Sequence, residues 1–139
     1  MPYNRHIPIL SGDGTMRESG ILMHITSLPS PYGVGTMGKA AFAFVDFLKK
    51  SGQSFWQILP LTPTGYGDSP YQSCSTYAGN PYLIDLEMLV QEELLTQEEL
   101  DAVQWGNDDE RVDFGAMYRN KLNVLRKAFQ RIRTETFCL

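Results

Sequence analysis

Two short apolar runs on either side of one amphipathic helical stripe constrain this chain more than any other feature. Gly20 to Ile25 (GILMHI) and Phe55 to Leu59 (FWQIL) read as strands buried on both faces. Between them, Ala41, Phe44, Val45 and Leu48 follow the i, i+3, i+4, i+7 rhythm of a helix spanning Gly38 to Ser51. Lys49 and Lys50 suit the negative end of that helix, and Gly52 can supply a left-handed cap. A helix between two strands rules out a hairpin. The unit is βαβ, with parallel strands joined by a right-handed crossover.

The rest of the chain reads as a loop followed by helices. Pro60 to Tyr82 is rich in Gly, Pro, Ser and Tyr and holds four of the seven tyrosines, Tyr66, Tyr71, Tyr77 and Tyr82. Its length exceeds the roughly 12–15 residues beyond which a loop is usually functional or disordered, and disordered segments are poor in aromatics. It reads as an ordered loop at the end of a strand, where α/β proteins place their sites. Leu86 to Leu95 forms one helix, and Thr96 with Glu99 forms a capping box opening the next. The last helix runs from about Phe114 to Arg133. Its expected core stripe is Tyr118, Leu122, Leu125, Phe129 and Ile132, with Arg119, Lys121, Arg126, Lys127 and Arg131 on the solvated face.

Charge and composition exclude several functions. The 139 residues carry a net charge of −4, which argues against nucleic acid or an anionic membrane as partner. No run approaches the roughly 18 apolar residues of a membrane span, and Met1 to Gly20 lacks the charged start and apolar centre of a secretory signal. A cytoplasmic protein is expected. Cys74 and Cys138 show no metal-ligand spacing, so reduced thiols and no cofactor are expected.

One motif misleads. Gly33 to Gly38 (GVGTMG) matches G-x-G-x-x-G, the dinucleotide fingerprint. That chemistry needs its first glycine directly after the strand and an acid about 20 residues on. Here seven residues, two of them prolines, separate Ile25 from Gly33, and Leu59-Pro60-Leu61 stands where the acid belongs. The glycines read as a tight loop entering a helix, and a dinucleotide-binding domain is only the weaker alternative.

In the loop itself, glycines flank Tyr66, Asp68 can close an Asx turn, and Pro70 pushes Ser69 into extended geometry. Flat rings interleaved with small polar groups suit the C–H faces and hydroxyls of a sugar. A packed structural loop explains the same composition. Of the remaining chemistry-bearing residues, His24 ends the first strand, Asp85 suits a strand end or helix cap, and Phe55 and Trp56 suit a core. Glu92, Glu93, Glu98 and Glu99 read as a solvated run.

Three segments, HITSLPSPYGVGTMG (His24 to Gly38), FWQILPLTPTGYGDSPYQS (Phe55 to Ser73) and YAGNPYLIDLEML (Tyr77 to Leu89), resemble the opening of 4-alpha-glucanotransferases. This is the amylomaltase or disproportionating-enzyme family, glycoside hydrolase family 77. The resemblance implies a (β/α)8 barrel with inserted subdomains. It also implies transfer of an α-1,4-glucan segment to the 4-hydroxyl of an acceptor glucan or glucose, with retention of configuration. The partners would be α-1,4-glucans and malto-oligosaccharides. Ser69 and Tyr71 match the family's donor-sugar contacts, Asp68 lies beside them, and Tyr66 matches a tyrosine of a further glucan-contact surface.

Retention needs two carboxyl groups about 5–5.5 Å apart, and the family's catalytic carboxylates come from later barrel strands. A full barrel takes about 250 residues. The expectation is therefore a flexible arm over 1–19 and a partial barrel with a helical insertion over 20–139. It would be truncated at its C-terminus, carry sugar contacts but no catalytic residue, and be inactive alone. The alternative is an α-glucan-binding fragment that works without catalysis.

Overall fold

The computed structural model describes residues 18–65, 69–106 and 111–136, with 133–136 described in backbone only. Strand β1 (Gly20–Leu22) pairs with β2 (Phe55–Gln57) in parallel, Ile21 opposite Trp56. Helix α1 (Lys39–Lys50) connects them, so the βαβ unit expected from the periodicity forms. Lys49 and Lys50 occupy the last turn of α1, and Gly52 follows at φ 72°, the left-handed geometry that ends a helix.

One side of the sheet is covered. Met23, Trp56 and Ile58 pack with Phe44 of α1 around Ile25, Leu28, Ala41 and Leu83. The Trp56 ring meets Phe44 edge-on at 5.0 Å, and its Nε1 donates to the Met23 carbonyl oxygen at 2.7 Å. The other side is open among the described residues: Leu22 is 60% and Phe55 56% exposed. Both strands are three residues long and alternate in burial, contrary to the expectation of longer strands buried on both faces. A parallel sheet reaches that state only with a layer on each face, and α1 supplies one. In α1 itself Ala41 and Leu48 are buried, whereas Val45 is exposed.

A second core joins the C-terminal helices. Helix α2 (Leu86–Gln91), α3 (Gln97–Asp101) and α4 (Phe114–Thr136) enclose Leu86, Leu94, Leu95, Leu100, Trp105, Val124 and Ala128 against Tyr32. Trp105 meets Tyr32 edge-on at 5.7 Å and donates to the Leu100 carbonyl oxygen at 3.0 Å. Thr96 caps α3 with the full capping box. Helix α2 ends earlier than its apolar pattern suggested. Glu93 adopts φ 60°, and this reversal turns Leu94 and Leu95 into the core.

The buried face of α4 differs from expectation by one residue. Met117, Lys121, Val124 and Ala128 point inward, while Leu122, Phe129 and Ile132 are exposed. Both sets follow the same four-three rhythm, and a one-residue offset rotates a helix by about 100°. Lys121 is thus fully buried rather than solvated. Arg131, partly exposed, donates to both carboxylate oxygens of Glu99 at 2.8 and 2.9 Å.

Candidate functional site

Parallel pairing puts the C-terminal ends of β1 and β2 at one edge of the sheet, and both following loops begin there. The loop after β1 makes a 3-10 turn (Ile25–Ser27) and returns to the start of α1. It is drawn tightly inward: a Cβ on Gly35 would lie 2.2 Å from the Ile25 carbonyl oxygen and 2.6 Å from that of Leu28. At Gly38, the N-cap of α1, a Cβ would overlap the Asp85 carboxylate at 1.9 Å. An anionic side chain therefore already occupies the N-terminus of α1, where a pyrophosphate would have to sit. The glycines serve close packing, in agreement with the rejection of the dinucleotide motif.

Asp85 ties three segments together. It accepts from Thr36 Oγ1 at 2.5 Å and caps α2 by accepting from the Met88 N–H at 2.9 Å. That work suits the helix-cap role expected of it.

The loop after β2 is a closed, hydrogen-bonded structure. The Asn80 N–H donates to the Leu61 carbonyl oxygen at 2.8 Å, fastening its two ends. Within it Thr64 and Ser73 form an antiparallel bridge, and the Gln72 N–H donates to the Ser69 carbonyl oxygen at 3.1 Å across a tight turn. Ser69 Oγ accepts from the Tyr71 N–H at 3.4 Å. Ser73 and Ser75 hydroxyls bond to nearby backbone and hold the turn that follows. Asn80 Oδ1 then accepts from the Tyr82 N–H at 3.0 Å and caps a second 3-10 turn, Pro81–Leu83.

Of the residues expected to contact sugar, Ser69 and Tyr71 lie side by side on the first turn. Ser69 is half-buried, and the Tyr71 ring is 73% exposed. Tyr66 and Asp68 lie outside the described residues. Tyr77 also projects fully into solvent, whereas Tyr82 packs edge-on against Tyr118 of α4 at 4.9 Å. The tyrosines thus divide into display and anchorage. Ser69 and Tyr71 form a small ridge on this turn. A cavity of about 550 Å³ lies along the β1–α1 loop, lined by Thr26, Pro29, Pro31, Trp105, Arg111 and Phe114 among others.

The other candidate groups are accounted for differently. The His24 Nδ1 is buried without a hydrogen-bond partner among the described residues, and burial lowers the imidazole pKa, favouring its neutral form. Cys74 is an exposed free thiol. The described residues hold no cluster of metal-ligating side chains and no helix long and apolar enough to cross a membrane. Glu99 is held well below the usual carboxylate range, at about 2, by the Arg131 guanidinium and the Thr96 N–H. It is an anchored anion rather than part of a solvated run. The sequence reading missed this ion pair and the burial of Lys121, and the capping box was its only signal near Glu99.

Comparison with known proteins agrees with the family resemblance read from the sequence. A family model described as 4-alpha-glucanotransferase matches residues 23–137. The 4-alpha-glucanotransferase of Clostridium butyricum is 49% identical over 113 residues, which are 81% of this chain and 23% of that protein. That of Thermus thermophilus is 51% identical over 114 residues, 82% of this chain and 22% of its own length. The amylomaltase of Streptococcus agalactiae, solved in complex with acarbose, has a similar fold with a TM-score of 0.79 at 50% identity. That match covers 82% of this chain and 23% of the amylomaltase. The chain therefore spans about a quarter of the length of the relatives it matches. With the family match covering residues 23–137, this chain belongs to the 4-alpha-glucanotransferase family.

Proposed function

We propose that this chain supplies the donor-sugar ridge of a 4-alpha-glucanotransferase. In this reading β1 and β2 are the first strands of a (β/α)8 barrel, and the loop after β2 lies on its catalytic rim. Active sites of such barrels gather at the C-terminal ends of the strands. The enzyme would cut an α-1,4-glucan and transfer the released segment to the 4-hydroxyl of another glucan or of glucose, with retention. Retention requires a carboxylate nucleophile and a carboxyl acid/base about 5–5.5 Å apart. Asp85 is engaged by Thr36 and the α2 N-terminus, and Glu99 by Arg131, so neither suits that work. The catalytic pair would come from other polypeptide.

The carrying observation is the exposed Tyr71 ring beside Ser69 on a loop fastened at both ends. An aromatic face already held outward stacks on a pyranose at low ordering cost. The Ser69 hydroxyl and the neighbouring backbone offer polar partners for sugar hydroxyls. Acarbose in the amylomaltase neighbour supports an α-glucan type of ligand.

Maltotriose disproportionation tests this. The 139-residue chain alone should convert none, and a hybrid in which its residues 23–137 replace the matching segment of the Streptococcus agalactiae amylomaltase should be active. An inactive, folded hybrid would count against the assignment. Turnover by the isolated chain would overturn the claim that the catalytic acids lie elsewhere.

A further inference from the structure

Lysine is an expensive choice for the inner face of α4. A buried ammonium loses its hydration, and an apolar residue of similar volume at such a site is often neutral or stabilising. Yet Lys121 is 0% exposed between Met117 and Val124. Its Nζ donates to the Tyr82 carbonyl oxygen at 2.6 Å, a short charge-assisted bond. The Asp85 carboxylate offsets part of the burial penalty. The Tyr82 ring meets Tyr118 one turn earlier on the same helix.

These contacts converge on the exit of the sugar-contacting loop. The Tyr82 N–H is held by Asn80 Oδ1, and the Asn80 N–H closes the loop onto Leu61. From Lys121, the bonds therefore pass through Tyr82 and Asn80 to the base of the segment carrying Ser69 and Tyr71.

We propose that Lys121 is a positioning residue that fixes the Ser69–Tyr71 ridge by clamping the Tyr82 carbonyl to α4. The inference rests on the glucan reading above for its consequence, but not for the clamp itself. The clamp makes the loop's exit part of the helical core, so the ridge meets its ligand with less ordering to do.

Hydrogen exchange on the 139-residue chain separates the two. Lys121→Met should lower protection at least tenfold at residues 80–84 and in the 72–78 turns, leaving the α1 amides unchanged. Lys121→Gln, a milder change, should show the same pattern more weakly and carries the test if the methionine variant does not fold. Unchanged protection over 72–84, or an equal loss in α1, would overturn the proposal. In the hybrid enzyme Lys121→Met should raise KM for maltotriose several-fold with kcat within twofold. That effect should vanish in a Tyr71→Ala background, because coupled residues are not additive. Additive effects would also overturn it. An inactive hybrid counts against the glucan reading alone, and the exchange pattern still decides the clamp.

Discussion

At the scale of single residues, side-chain type misled where position decided. Lys121 was expected on a solvated face because it is charged, yet its place on α4 is the centre of the buried stripe. The apolar series beginning at Tyr118 has larger side chains than the series beginning at Met117, so a hydrophobic pattern favours it. The inner series is Met, Lys, Val and Ala, and tertiary contact with Tyr82, with Asp85 nearby, explains the lysine. Burial pulls its ammonium from 10.5 to about 8, against a smaller opposing pull from Asp85. The unfolded chain binds this proton more tightly, so the group's contribution to stability is fully present above about pH 10.5 and lost as pH falls through 8. The melting temperature of the wild type should therefore rise relative to that of Lys121→Met between pH 8 and 10, by an effect on the order of 2 kcal/mol. A constant difference between the two proteins would contradict the burial of a charged amine. Other roles were legible at this scale. Asp85 as a cap and Trp56 as core follow from local chemistry, and the structure places them so, whereas Phe55, also read as core, is exposed.

Among the elements, what the sequence made plain was local and what it hid was long-range. The helix of the βαβ unit, its Gly52 cap and the Thr96–Glu99 box each depend on neighbours within one or two turns. The premature end of α2 depends on Leu94 and Leu95 finding a core contributed by distant residues, and no local signal marks it. The Glu99–Arg131 pair likewise spans 32 positions. It joins the N-terminus of α3 to the far end of α4, where Arg131 also donates to the Leu94 carbonyl oxygen at 2.7 Å. The Glu99 pKa is lowered from 4.5 to about 2, so its contribution is fully present above pH 4.5 and lost as pH falls toward 2. Glu99→Gln keeps a capping side chain but removes the charge. The variant should melt with a shallower pH dependence than the wild type over that window, as followed by circular dichroism. Parallel curves would mean that Arg131 gains nothing from the charge. Solvent screening keeps the effect small, since the pair is partly exposed.

For the molecule as a whole, the exposed apolar surface is the feature that sequence periodicity could not locate. Leu22 and Phe55 on the open sheet face, Phe42 and Phe47 on α1, and Phe129 and Ile132 on α4 all face solvent. Exposed apolar surface of this kind favours association or aggregation where it is contiguous. The isolated chain should self-associate with increasing concentration in light scattering, and Phe129→Lys should weaken that tendency without lowering helix content. A monomer at all accessible concentrations would show that these faces are too dispersed to matter. The candidate ridge was legible in part: Ser69 and Tyr71 stand side by side on one turn of the loop after β2, with the Tyr71 ring exposed. What the motif could not supply was the fastening of that ridge, which comes from Asn80, Tyr82 and α4. The most direct test of the ridge is the maltotriose KM of the hybrid enzyme carrying Tyr71→Ala. A ring that binds sugar equally before and during reaction should raise KM about tenfold or more on removal while kcat changes little. An unchanged KM in a folded, active enzyme would contradict the account.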